Sequence, residues 1–86
     1  MIAEEVKELL LANYLDADIN VKGEDANFSV EIVSSIFENV NKLNRQKQIL
    51  ACVKEQITSG EIHAFSVQAY TQDEWNDRLG NSLTVL

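Results

Sequence analysis

Apolar residues open the chain at Val6, Leu9, Leu10 and Tyr14, the i, i+3, i+4 and i+8 spacing of one helical face. Glu4, Glu5, Lys7 and Glu8 fall on the other face, and acids in a first turn suit the positive end of the helix dipole. The spacing predicts a helix over residues 3–14. The period then drops to two: Ile19 and Val21 alternate with Asn20 and Lys22, which predicts a strand over 19–22. Residues 23–27, Gly-Glu-Asp-Ala-Asn, break that pattern and read as a hairpin tip. Beyond it Phe28, Val30 and Ile32 alternate with Ser29 and Glu31, the mark of a longer strand with one apolar face.

Asn39, Asn41 and Asn44 compete with helical hydrogen bonding, so the stretch before residue 44 reads as a connector. From there to residue 59, Ile49, Cys52, Val53, Gln56 and Ile57 form one stripe, and Gly60 stands where a helix C-cap wants a left-handed residue. This predicts a second helix of about four turns. Period two returns over 62–70, with Phe65, Val67 and Ala69 on one face. Thr71 and Glu74 then make a capping-box pair opening a short helix that runs past Trp75 to Leu79 and ends at Gly80. Tyr70 and Trp75 read as core anchors for that helix. Residues 81–86 carry no clear period and are expected to be a flexible tail beyond a single domain of residues 1–80.

A strand–helix–strand crossover joins parallel strands, so the second and third strands should be parallel and the first two antiparallel. The expected class is α+β, with order αββαβ(α) and a three-stranded mixed sheet carrying its helices on one face.

Composition narrows the chemistry. The chain has 86 residues, one domain's worth, and a chain this short has little room for a deep enclosed pocket. Its formal charge of −7 repels nucleic acid and anionic membranes, so any anion binding must come from a local patch. A single Cys and a single His exclude an internal disulfide, a CxxC site and a His-rich metal centre, and suggest a reducing, cytoplasmic setting. The acidic start and the short apolar run over 9–12 suggest neither export nor membrane insertion. No P-loop, GxGxxG, HExxH or EF-hand pattern occurs.

Three features remain as candidates. His63 opens the last strand, as a hydrogen-bonded structural residue at the sheet edge or as a metal ligand. Cys52 lies on the apolar stripe of the second helix, as a small core hydrophobe or as a redox thiol. Lys42, Arg45, Lys47 and Lys54 share a window, residues 39–54, without a single acid. They form a solvated face or a patch that grips phosphate or an acidic partner protein. With no aromatic residue interleaved, they offer little for sequence-specific readout.

The run Ile62-His63-Ala64-Phe65-Ser66-Val67-Gln68-Ala69-Tyr70-Thr71-Gln72-Asp73-Glu74-Trp75 resembles the C-terminal signature of the BolA family, an apolar-His-Ala strand leading into a Thr-x-x-x-Trp helix start. Val21-Lys22-Gly23, the segment from Phe28 to Ser34, Phe37, and Asn44-Arg45-Gln46-Lys47 are similar to that family's upstream elements in the same order. The short length and the Val-x-Gly entry resemble its YrbA/IbaG branch. The resemblance implies a fold related to the class II KH domain and a non-enzymatic protein. It implies binding to a monothiol glutaredoxin, with a [2Fe–2S] cluster shared between the two and glutathione, in iron–sulfur trafficking or in iron and stress regulation. His63 matches the family's signature ligand. The hairpin tip, where the family often supplies a second His or Cys, has neither here, and Asn27 stands where His is common before Phe28. Glu24, Asp25 and Cys52 are the alternatives for a second ligand. Some family members are described as DNA-binding transcriptional regulators, which makes weak DNA binding through the basic helix face the rival reading. The connector lacks the Gly residues of a KH-type GxxG loop, which argues against RNA binding of that kind.

Overall fold

The computed structural model describes residues 1–84, with side chains described through residue 79. Helix α1 covers Ala3–Leu11 and strands β1 and β2 cover Asp18–Glu24 and Asn27–Val33. After a 3₁₀ turn at Ser35–Phe37 come α2 (Lys42–Cys52), α3 (Lys54–Ser59), β3 (Ala64–Tyr70) and α4 (Gln72–Thr84). The sheet order is β1-β2-β3, antiparallel then parallel, as the crossover rule requires.

Register explains the core. Ile19, Ile32 and Ala69 stand side by side across the three strands, as do Val21, Val30 and Val67, and then Gly23, Phe28 and Phe65. These rows lie on the inner face, where Val6 and Leu10 of α1, Ile49 of α2, Phe37, Val53 and Ile62 close over them. The opposite face is a polar ladder in which Asn20, Glu31 and Gln68 align, followed by Lys22, Ser29 and Ser66. Alternation along each strand thus commits most apolar side chains to the face that α1 and α2 cover, while Val33 and Tyr70 pair on the opposite face.

Local chemistry sets the ends of the elements. The hairpin closes in two residues, Asp25 and Ala26, between Glu24 and Asn27, so the expected five-residue tip is mostly strand. Asp25 takes φ 60°, a left-handed value that Asp tolerates better than most residues. Gly23 is required by contact: at φ 130°, a Cβ there would lie 2.0 Å from the Asn27 carbonyl oxygen. Asn39 is left-handed at φ 62°, and the Asn41 side chain caps α2 by accepting from the Asn44 N–H at 2.9 Å. The helix therefore begins at Lys42, ahead of the expected start.

Three other boundaries differ from the sequence pattern. α1 stops at Leu11, and Tyr14 enters the core from the turn that follows. The second predicted helix is two, divided at fully buried Val53, whose φ of −117° leaves the helical range. α4 does not end at Gly80 but continues to Thr84, while Val85 and Leu86 of the expected tail lie outside the described residues. The capping box forms as predicted, with Thr71 Oγ1 accepting from the Glu74 N–H and Glu74 Oε1 from the Thr71 N–H. Tyr70 and Trp75 are not core anchors. They meet edge to face, centroids 5.3 Å apart, outside the core cluster, beneath the Arg78 guanidinium.

Candidate functional site

Two backbone bonds fix the position of His63. The N–H groups of His63 and Ala64 both donate to the Ala26 carbonyl, at 2.7 and 3.0 Å, so the entry to β3 is tied to the hairpin turn. Just upstream, Ile62 is a fully buried plug whose N–H donates to the Gln56 carbonyl. Between these restraints the His63 side chain is exposed and makes no hydrogen bond to any described residue. It is not the hydrogen-bonded structural histidine that a sheet-edge position allows. An open recess of about 410 Å³ begins at the next residue, lined by Gly23, Asn27, Phe28, Ala64 and Phe65. An accessible imidazole thus stands beside a partly apolar hollow.

The residues present fit one ligand of a metal group. Among the described residues no three of His, Cys, Asp and Glu gather to hold an ion. The hairpin turn offers the Glu24 and Asp25 carboxylates, hard oxygen donors unsuited to iron–sulfur centres, and no thiolate. Cys52 is half-buried rather than a core residue. It lines a separate recess with Asn13, Tyr14, Ile36, Gln48 and Ala51, and its Sγ lies 3.5 Å from the Gln48 carbonyl. Burial raises the thiol pKa, countered by a hydrogen bond from Tyr14, so the reactive thiolate is disfavoured. Burial and the neighbouring Cys52 push the Tyr14 hydroxyl up to about 12.

The basic cluster divides. Arg45 is only 5 % exposed, and its guanidinium is committed to the protein itself. Nε donates to the Val40 carbonyl at 2.7 Å and Nη2 to that of Phe37 at 2.9 Å. Nη1 reaches the Ala69 carbonyl at 3.1 Å and pairs with Glu74 Oε1 at 2.6 Å. This hydrogen bond, with a second from the Thr71 N–H, lowers the Glu74 pKa. The assignment of Arg45 to a phosphate or partner patch is therefore corrected: its donors close the connector, β3 and α4 onto α2. Lys42, Lys47 and Lys54 are exposed and form no ion pair with a described residue. They are interleaved with exposed Leu43, Leu50 and Ile57, a spacing of seven readable from the sequence; Ile57, expected on the buried stripe of the second helix, is 39 % exposed. The carbonyl of Ala26 was not readable, because its role depends on a crossover pairing.

No described helix is long and apolar enough to cross a membrane. The family model for BolA-like proteins matches residues 11–74. A protein from the rpoN–murA intergenic region of Acinetobacter guillouiae is 36 % identical over 75 residues, covering 87 % of this chain and 90 % of that one. The acid stress protein IbaG of Escherichia coli K12 is 28 % identical over 71 residues, covering 83 % and 84 %. A bolA homologue from Coxiella burnetii superposes with a TM-score of 0.78 at 21 % identity, over 88 % of this chain and 97 % of that one. With the strand order, the His-bearing entry to β3 and the capped Thr-x-x-x-Trp helix all in place, the chain belongs to the BolA-like family.

Proposed function

We propose that this protein is a non-enzymatic cytoplasmic adaptor that binds a monothiol glutaredoxin and supplies His63 as its ligand to a [2Fe–2S] cluster held jointly with that partner and its glutathione. The reading places it in iron–sulfur trafficking or in iron and stress regulation. The observation that carries it is the exposed, unbonded His63 ring on a backbone pinned at both sides. A ligand pre-positioned by its scaffold loses little freedom on binding, and imidazole is an established replacement for thiolate in [2Fe–2S] centres. This chain contributes that single nitrogen ligand; the partner must supply the thiolates. The hollow lined by Phe28 and Phe65 gives the partner apolar surface to cover beside it. The DNA reading loses its guanidinium to the interior, and the lysines that remain are separated by aliphatic side chains.

The test is anaerobic reconstitution of a [2Fe–2S] cluster on a monothiol glutaredoxin, followed by addition of this protein or its His63→Ala variant and visible circular dichroism. A spectral change with the wild type that the variant abolishes is the expected result. An identical response from both proteins removes His63 from the cluster. His63 is exposed, so the variant should keep its fold.

A further inference from the structure

α1 and α2 lie side by side on the same face of the sheet, so their outward faces look the same way. The outward face of α2 and α3 alternates aliphatic and basic residues: Leu43, Lys47, Leu50, Lys54 and Ile57. Leu43, Lys47 and Leu50 of α2 and Lys54 and Ile57 of α3 are all exposed, at steps of three and four residues. Leu43 is 62 % exposed, and no acid occurs between residues 39 and 54. The outward face of α1 has the opposite character. Glu4, Glu5 and Glu8 are all exposed around a half-buried Lys7, with Ile2 exposed at one end and Leu15, 82 % exposed, just past the other. One layer of the molecule therefore carries an acidic stripe with apolar ends beside a basic stripe with apolar steps.

We propose that this helical layer is a self-association surface whose occupant is a second copy of the chain. A two-fold axis lying in the plane between the two layers, and running between α1 and α2, sets α1 of each copy on the α2–α3 stripe of the other. Each contact is then made twice, as closed symmetry requires. Glu4 and Glu8 meet Lys47 and Lys54, while Ile2 and Leu15 cover Leu43, Leu50 and Ile57. The net charge of −7 on each copy opposes pairing. That repulsion acts over the whole molecule and is largely screened beyond about 8 Å at physiological salt, whereas the facing stripes lie within that distance. The pairing is weak and concentration-dependent, and it occludes the lysine face.

Sedimentation equilibrium from micromolar to millimolar concentration tests this, with the wild type, the double variant Lys47→Glu/Lys54→Glu and the double variant Glu4→Lys/Glu8→Lys. All four positions are exposed and in no ion pair with a described residue, so folding should survive, and far-ultraviolet circular dichroism checks it. The wild-type mass should rise from 9.7 kDa toward twice that value. Each double variant alone should associate about tenfold or more weakly, and an equimolar mixture of the two should restore pairing. A monomeric wild type at millimolar concentration overturns the proposal, as does a dimer that persists in both variants. If the wild type stays monomeric while Lys47→Glu/Lys54→Glu loses affinity for the apo glutaredoxin, the stripe belongs to that partner and self-pairing is overturned.

Discussion

Arg45 shows how one side chain can look like surface and act as interior. Its guanidinium satisfies three carbonyls from the connector and β3 and one carboxylate from α4. Replacing it with Ala should cost about 3 to 5 kcal/mol, the usual penalty for breaking a buried charged network, measured by urea unfolding. Arg45→Lys should recover little of that loss, because one ammonium cannot span four acceptors. The sequence placed Arg45 among lysines and charge alone could not separate it from them; burial of that position depends on how β3 and α4 fold back. The position of His63 at the entry to β3 and the cap at Thr71 were legible because their signals are local: a strand entry and a capping box. Cys52 was legible as to face but not as to depth, since spacing gives direction and says nothing of what covers it.

Buried Tyr14 and exposed Glu74 each make stability depend on pH. Tyr14 is raised in the folded state, so the unfolded chain ionises first as pH climbs. The Tyr14 contribution to stability should be complete below about pH 10 and decline by on the order of 2 kcal/mol as pH rises toward 12, with Tyr14→Phe flattening that part of the slope. Glu74 is lowered, chiefly by the hydrogen bond from Arg45. Its contribution is present above the ordinary carboxylate range and is lost as pH falls through the folded value. Urea titrations at graded acid pH should show this loss in the wild type and not in Glu74→Gln. The effect is small, because the Glu74 side chain is 43 % exposed.

At the scale of elements, the hairpin and the β3 entry form one unit. Gly23 permits the close approach of Asn27, the two-residue turn then presents the Ala26 carbonyl, and that carbonyl holds His63. Gly23→Ala should destabilise the protein by about 2 kcal/mol or more through backbone clash and φ strain. It should also speed hydrogen exchange at the His63 and Ala64 amides, which nuclear magnetic resonance would detect. Unchanged exchange there would detach the turn from the site. Strand existence and facing were readable from period two, because alternation is a property of the strand itself, and the parallel and antiparallel pairings followed from the crossover rule. The joint at Val53 and the extension of α4 past Gly80 were not. The first follows from packing beneath the helix, and a lone Gly costs a helix only about 1 kcal/mol, too little to end it.

The whole molecule segregates its charge as well as its polarity. Removing Arg45 from the surface leaves three exposed lysines on α2 and α3 and an acidic remainder. Duplex DNA affinity should consequently be low and fall steeply with salt, by about 0.9 log units per log unit for each phosphate engaged. Triple replacement of Lys42, Lys47 and Lys54 by Ala should abolish what binding there is, as electrophoretic mobility shift would show.

The outer stack of Tyr70, Trp75 and Arg78 also equips the protein with an internal optical gauge. Trp75 is the sole tryptophan, and it sits between an aromatic edge and a cation, away from the core that α1 and α2 cover. Its emission therefore reports the docking of the last helix and not the melting of the sheet. Fluorescence and far-ultraviolet circular dichroism need not trace the same transition, and the fluorescence change should come first on mild denaturation.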